Sequence, residues 1–174
     1  MNYNYDPELA GMLDSLPDMD LDISDPVAAR AGFADMVAMM NAELDTSGVT
    51  VKDRDIPGPA GAPSVGLRIY SPENLDRAVP GLLHIHGGGF VIGDLDTELG
   101  SCIALCRNLG IVVVSVDYRL APETPYPGAL EDCYAALQWT AANSAELKID
   151  PERLGIFGQS AGGGLSAATA LLNR

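Results

Sequence analysis

A serine near the end of the chain lies in a pattern typical of a catalytic nucleophile. Residues 158–162 read Gly-Gln-Ser-Ala-Gly, between the short apolar run 154–157 and a stretch rich in Ala and Leu. This pattern predicts a tight turn from a strand into a helix, which lifts the hydroxyl of Ser160 above the edge of a sheet. A hydroxyl placed in this way can attack a carbonyl carbon when a base takes its proton.

A run of glycines provides the second chemical feature. Residues 86–90 read His-Gly-Gly-Gly-Phe and directly follow the apolar segment 82–85. Three consecutive glycines are costly in chain entropy, so they indicate a place where backbone N–H groups approach a ligand without side chains in the way. Two such groups, with the N–H of Ala161 after the serine, can hold the oxyanion of a tetrahedral intermediate. One donor of this kind typically accelerates a reaction by about 10²–10³.

Strands and helices that alternate along the chain must position these groups. The β-branched run 111–116 is typical of a central parallel strand that is buried on both faces. The alternating segments at 49–56 and 65–70 predict an antiparallel pair at one edge of the sheet. Further strands are expected at 82–85 and 154–157, and helices after Thr97 and from Pro127. From residue 80 onward this order predicts a parallel α/β sheet with right-handed crossovers.

The N-terminal part of the chain predicts a helix that begins at Ser24-Asp25-Pro26, where a capping side chain precedes a proline. Apolar residues then recur at helical spacing and predict one buried stripe; they are Phe33, Met36, Val37, Met40 and Leu44. Such a stripe is usually core, although methionine also adapts to the varied shapes of a substrate pocket.

Three motifs together resemble the hormone-sensitive-lipase-like branch of the α/β-hydrolases, the bacterial carboxylesterases. They are His-Gly-Gly-Gly-Phe at 86–90, Asp-Tyr-Arg-Leu-Ala-Pro-Glu at 117–123 and Gly-Gln-Ser-Ala-Gly-Gly at 158–163. They occur in the order of that family and at compatible spacing, and the resemblance covers essentially the whole chain. It implies an α/β-hydrolase fold, with 1–48 as an N-terminal helical cap segment and 49–174 as the N-terminal half of the hydrolase domain.

The resemblance also implies roles for the motif residues. Ser160 would be the nucleophile, and Gly88, Gly89 and Ala161 would supply the oxyanion hole. His86 would brace the glycine loop instead of acting as the base. Gly87, Gly158 and Gly162 complete the two motifs. Members of the family usually carry an aspartate at the position of Gln159, and we expect the glutamine to tune the site without changing the turn.

A complete catalytic site also needs an acid and a histidine, and no histidine follows Ser160 in this chain. In this layout the acid and then the histidine follow the nucleophile, whereas His84 and His86 both precede Ser160. His84 falls in a predicted core strand, and both histidines are interpreted as structural. Family members are nearly twice as long, so we expect the catalytic aspartate and histidine, the last strands and the rest of the cap on a segment that is not in this chain.

This expectation leaves the strand at 154–157 as an apolar edge, which invites pairing. We therefore expect a cover, either a second polypeptide that carries the other half or self-association of this chain.

Two groups of charged residues are interpreted as structural. Arg119 and Glu123 are expected to form an ion pair or a loop clamp, and Asp94, Asp96 and Glu98 are expected to cap the helix that follows them.

The composition excludes some classes of partner. With 24 acidic and 10 basic residues the formal net charge is −14, so nucleic acid and anionic membrane surfaces should repel the chain.

The three cysteines show neither a disulfide framework nor the spacing of a metal site, and are expected as buried thiols. No cofactor is implied. The N-terminus lacks the pattern of a signal peptide and no segment predicts a membrane span, which indicates a cytoplasmic location.

Two hypotheses follow. The first is a serine carboxylesterase that hydrolyses short-chain esters through an acyl-enzyme on Ser160. The second is an inactive hydrolase fragment or a non-catalytic module that binds small, acyl-like ligands. The natural ester, the preferred acyl length and the oligomeric state stay open.

Overall fold

The computed structural model describes residues 5–13 and 23–174. Two helices come first, and strands and helices then alternate. In chain order the elements are α1 Pro7–Leu13, α2 Pro26–Asn41, β1 Val49–Ile56, β2 Val65–Pro72, β3 Val79–Ile85, α3 Leu99–Leu109, β4 Val112–Asp117, α4 Gly128–Ala142, α5 Ser144–Leu147, β5 Ile149–Gly158 and α6 Ala161–Leu172.

The strands form one mixed sheet in the order β1-β2-β4-β3-β5. The pairs β1–β2 and β2–β4 are antiparallel, whereas β3 runs parallel to both β4 and β5. The predicted antiparallel pair at one edge and the parallel α/β arrangement after it are therefore confirmed. Because β3, β4 and β5 are parallel neighbours, their carboxyl ends and the three motifs that follow them lie at one edge of the sheet.

Two apolar clusters cover the faces of the sheet, and β4 contributes to both. Val114 packs in the cluster that includes Leu130 of α4 and Leu165 of α6, and Val113 packs in the cluster that includes Ile103 of α3. The valines of β4 are fully buried, as predicted for a central strand. The three cysteines are buried and free, which confirms their interpretation as core thiols.

The N-terminal helix α2 begins as predicted. The Asp25 side chain accepts a hydrogen bond from the backbone N of Ala28, and Pro26 occupies the first turn. The stripe is only partly confirmed, because Val37 is buried while the Met40 side chain is 74% exposed. The buried face of α2 is therefore narrower than that of an amphipathic helix packed on a protein core.

Both predictions about charged groups need correction. Glu98 occupies the N-cap position of α3 but makes no side-chain capping bond. Asp94 instead accepts hydrogen bonds from the backbone N atoms of Asp96 and Thr97, in the turn before the helix. The side chain of Asp96 forms an ion pair with Arg68 of β2. Asp96 therefore links the loop to the strand and does not cap α3.

The expected Arg119–Glu123 ion pair is wrong. Arg119 pairs with Asp132 of α4, and Glu123 pairs with Arg30 of α2. The Asp132 carboxylate is fully buried and accepts three hydrogen bonds of 2.8–2.9 Å, from the backbone N, Nε and Nη2 of Arg119. A buried carboxylate satisfied in this way competes better for the guanidinium than an exposed glutamate does.

The strand before the serine is longer than expected, since it begins at Ile149 and includes Asp150 and Pro151. Its pairing with β3 is irregular in this first part and regular from Leu154 to Gly158. Within the described residues β5 forms the outer edge of the sheet, and Phe157 on it is 39% exposed. The predicted position of this strand at an edge is confirmed.

Two findings concern membranes and metals. Among residues 5–13 and 23–174, no helix has the length and apolarity that crossing a membrane requires. In the same part of the chain, no three His, Cys, Asp or Glu side chains are grouped so that they could hold a metal ion.

The buried carboxylate leads to a stability prediction. Asp132→Ala should lower the free energy of unfolding by about 2–3 kcal/mol, because Arg119 then loses its charged acceptor in a partly buried site. Urea unfolding followed by circular dichroism measures the effect. Glu131→Ala is the matched control, since its carboxylate is half-exposed and 3.9 Å from Arg119, and should change stability by less than about 0.5 kcal/mol. Equal losses in the two variants would contradict the assignment.

Candidate active site

Ser160 occupies the turn between β5 and α6. Its backbone has φ 52° and ψ −121°, in a region that side-chain-bearing residues rarely adopt. The residue is exposed, and its side chain makes no capping hydrogen bond to α6 although it stands at the N-cap position. This strained backbone and this exposed hydroxyl are the geometry expected of a nucleophile on a strand-to-helix turn.

Glycines allow this turn to pack directly against the end of β3. A Cβ atom on Gly162 would lie 2.1 Å from the carbonyl oxygen of Ile85, and one on Gly158 would lie 2.4 Å from the carbonyl oxygen of Gly162. Both distances are far below van der Waals contact, so no side chain fits at either position. The motif glycines therefore serve close backbone approach between the serine turn and β3.

The glycine loop that follows β3 touches the serine turn. A Cβ atom on Gly87 would lie 3.2 Å from the carbonyl oxygen of Gln159 and 3.7 Å from the Cβ atom of Ser160. The next three residues all have positive φ: 116° at Gly88, 61° at Gly89 and 68° at Phe90. The structure thus brings the predicted loop and the predicted nucleophile together.

The peptide between Gly88 and Gly89 has a defined orientation. The carbonyl oxygen of Gly88 accepts hydrogen bonds from the N atoms of Val91 (3.1 Å) and Ile92 (3.0 Å). Because a trans peptide is planar, the N–H of Gly89 points opposite to that carbonyl, away from the turn that follows. The hydrogen bonds within the loop therefore do not use the N–H of Gly89.

The third predicted donor, Ala161, is the first residue of α6. The first N–H groups of a helix have no acceptor within the helix, and the helix dipole favours negative charge at this end.

His86 is held inside the loop. The residue is fully buried, and its Nδ1 lies 2.7 Å from the carbonyl oxygen of Gly87. Its ring stacks on Tyr118 at 4.2 Å, and the hydroxyl of Tyr118 donates to the carbonyl oxygen of His86 at 3.0 Å. Burial lowers the pKa of His86. Because the carbonyl oxygen of Gly87 can only accept, Nδ1 is the donor in this contact. These contacts suit a brace for the loop.

His84 lies within β3, and its ring is fully buried. Within the described residues neither ring nitrogen has a hydrogen-bond partner, and burial lowers the pKa of His84 to about 4. The ring lies 5.5 Å from that of Phe157. A neutral histidine in the middle of a strand is not arranged to take a proton from Ser160.

An apolar cavity of about 470 Å³ lies between Phe90 of the glycine loop, α4 and α6. Phe90, Tyr126, Leu130 and Leu165 line it, and Gly164 leaves space on the face of α6. Phe90 and Tyr126 expose large parts of their rings. An apolar cavity that shares Phe90 with the glycine loop is suited to an apolar part of a small ligand.

Sequence reasoning missed one group beside the loop, Arg30 of α2. Its Nε donates to the carbonyl oxygen of Val91 at 2.8 Å, and its Nη2 donates to that of Ala121 at 2.7 Å. It also pairs with both carboxylate oxygens of Glu123 at 2.8 Å. One signal was present in the sequence: Arg30 is the only basic residue among the first 51, where ten acidic residues occur.

Comparison with protein families identifies the class. The model of a family described by its α/β hydrolase fold matches residues 82–174, more than half of the chain and all three motifs. The chain therefore belongs to the α/β-hydrolase family, as the motifs predicted.

Curated relatives include esterases of Mycobacterium tuberculosis. Esterase LipI (strain ATCC 25618 / H37Rv) is 43% identical over 169 residues, which are 95% of this chain and 50% of LipI. Carboxylesterase NlhH of the same strain is 42% identical over 124 residues, 71% of this chain and 39% of NlhH. These relatives agree with the expected carboxylesterase branch. The chain spans about half or less of the length of the curated relatives it matches.

Solved structures agree with the fold. A bacterial heroin esterase superposes with a TM-score of 0.90 at 46% identity, over 97% of this chain and 53% of that protein. The carboxylesterase EstE1 superposes with a TM-score of 0.81 at 39% identity, over 87% of this chain and 51% of that protein. The α/β-hydrolase fold is confirmed, with the chain corresponding to about half of each structure.

The close approach at the serine turn leads to a matched pair of substitutions on α6. Gly162→Ala should lower the free energy of unfolding by about 1–3 kcal/mol, because its Cβ would overlap the Ile85 carbonyl. Gly164→Ala should raise it by up to about 1 kcal/mol, because its Cβ would meet only the Phe90 ring at 3.9 Å and alanine favours a helix interior. Urea unfolding measures both, and a Gly162→Ala protein of unchanged stability would refute the packing argument.

Proposed function

We propose that the protein containing this chain is a serine carboxylesterase that hydrolyses short-chain carboxylic esters through an acyl-enzyme on Ser160. The observation that carries the proposal is the contact between the glycine loop and a strained, exposed Ser160. A nucleophile and a group of free N–H donors at one sheet edge are the two components that acyl transfer needs on the side of the carbonyl.

The first step is attack of the Ser160 oxygen on the ester carbonyl. A new C–O bond forms, the serine proton passes to a base, and the carbonyl oxygen becomes an oxyanion. We assign the N–H groups of Gly88, Gly89 and Ala161 to this oxyanion. Collapse of the intermediate releases the alcohol with its proton, and water then attacks the acyl-enzyme, releasing the acid. The reaction consumes only ester and water, and needs no metal or cofactor.

We assign the base and its acid to a segment outside this chain. Two features support this: His86 is engaged by Gly87 and Tyr118, and His84 lies within β3. The relatives that the chain resembles are about twice its length, which leaves room for a histidine and an aspartate. We also predict that the edge of β5 is covered, either by a second polypeptide that carries this segment or by self-association of the chain. The role of 1–48 as a cap segment and the cytoplasmic location also stay predictions.

The proposal predicts that Ser160→Ala abolishes hydrolysis of p-nitrophenyl acetate by the whole protein, by at least about 10³-fold, because no other group forms the acyl-enzyme. A fluorophosphonate should label Ser160 with one adduct, detected by intact mass and peptide mapping. The control is Ser166→Ala, since the Ser166 hydroxyl is engaged with the carbonyl oxygen of Gly162 at 2.7 Å, and it should keep the label.

A wild-type protein that neither hydrolyses the ester nor takes the label would refute the esterase proposal. That result would favour the inactive fragment or the non-catalytic binding module.

A further inference from the structure

We infer that Arg30 is a positioning residue that holds the oxyanion loop in its reactive conformation from helix α2. This inference rests on the proposed esterase function and deepens it. Arg30 does not touch the reacting atoms in this assignment; it acts through the backbone of the loop that supplies Gly88 and Gly89.

The contacts of Arg30 show how one side chain holds two segments. One arm of its guanidinium binds the carbonyl oxygen of Val91 in the glycine loop, and another binds that of Ala121 in the segment after β4. The N atom of Ala121 donates in turn to the carbonyl oxygen of Phe90 at 2.9 Å. The two segments and the arginine therefore form a closed ring of hydrogen bonds around residues 90–91.

The loop needs such support because its backbone is strained. Phe90 has a positive φ of 68° directly after two glycines that also have positive φ. A side-chain-bearing residue in this region is strained and persists only when its surroundings fix it. Ala121 binds the carbonyl of Phe90 and Arg30 binds the carbonyl of Val91, so the two consecutive peptide groups that follow Phe90 are both held.

Glu123 keeps the guanidinium in place. Its carboxylate binds Arg30 through two hydrogen bonds of 2.8 Å, a bidentate geometry that fixes the plane of the side chain. The Arg30 side chain is 28% exposed and that of Glu123 is 51% exposed, so this pair contributes little to stability by itself. The fixed orientation, which aims the remaining N–H groups at the two carbonyls, is the more important consequence.

Helix α2 is otherwise attached at few points. It buries one side chain, Val37, and near its end Asn41 donates to the carbonyl oxygen of Asp96 at 2.9 Å. Arg30 supplies a direct hydrogen bond from α2 to the oxyanion loop, at the carbonyl oxygen of Val91. A change in the position of α2 would reach the loop by way of this guanidinium.

The chain offers a matched control in Arg107 of α3. Its guanidinium also binds backbone carbonyls, those of Asp45 and Ser47, at 2.7–3.0 Å. It also lies near the Asp45 carboxylate at 3.5 Å. The two arginines therefore make similar bonds, but only Arg30 binds the glycine loop.

The experiment compares Arg30→Met and Arg107→Met in the whole protein with p-nitrophenyl acetate. Arg30→Met should lower kcat about 10- to 100-fold and change KM less than about twofold. The reason is that displaced N–H groups of Gly88 and Gly89 would weaken binding of the oxyanion, which forms only in the transition state. A trifluoromethyl ketone, which forms a tetrahedral adduct with the serine, should bind more weakly by the same factor as the fall in kcat/KM. Arg107→Met should leave kcat and this affinity unchanged, while urea unfolding shows a similar loss of stability in both variants.

Two further variants separate orientation from charge. Arg30→Lys keeps the charge but cannot reach both carbonyls and the carboxylate at once, so kcat should stay at least about fivefold below wild type. This variant carries the test if Arg30→Met does not fold. Glu123→Gln keeps the acceptor oxygen and should lower kcat less than Arg30→Lys does.

Unchanged kcat and unchanged affinity for the ketone in folded Arg30→Met or Arg30→Lys protein would overturn the inference, even with Ser160 confirmed as the nucleophile. Loss of kcat in proportion to the unfolded fraction would overturn it as well. If Ser160→Ala keeps full activity, the esterase assignment itself fails, which is a separate result.

Discussion

Direct contact between backbones at the ends of β3 and β5 is the constraint on which the rest of the site depends. Ile85 pairs with Gly158 in the parallel register, and Gly162 passes the Ile85 carbonyl with no room for a side chain. One strand leads into the glycine loop and the other into Ser160. Their pairing therefore fixes the distance between the glycine loop and Ser160 before any side chain contributes.

The third motif completes this edge from the other side of β3. It follows β4, which lies next to β3 in the sheet, and its Tyr118 covers the ring of His86 while Arg119 is held by Asp132. The three motifs are thus the extensions of three neighbouring strands. Since β4 is buried on both faces, two of the three motifs extend from strands that are anchored in the core.

Local patterns in the sequence were sufficient for much of this arrangement. The glycine motifs, the run of valines in β4 and the start of α2 at Asp25 each depend on residues close together in the chain, and each was predicted. The partners of Arg30 and Arg119 were not, because they depend on long-range contacts and on which carboxylates become buried. Arg30 meets Glu123 across 93 positions of sequence, and no period or motif encodes such a pair.

Ser160 occupies a backbone conformation that glycine would adopt with less strain. A strained residue of this kind costs about 1–3 kcal/mol, a noticeable share of the 5–15 kcal/mol by which a domain is usually stable. Glycine at this position would remove both the strain and the hydroxyl of Ser160. For the proposed esterase, the serine turn is therefore a place where stability and catalytic turnover oppose each other.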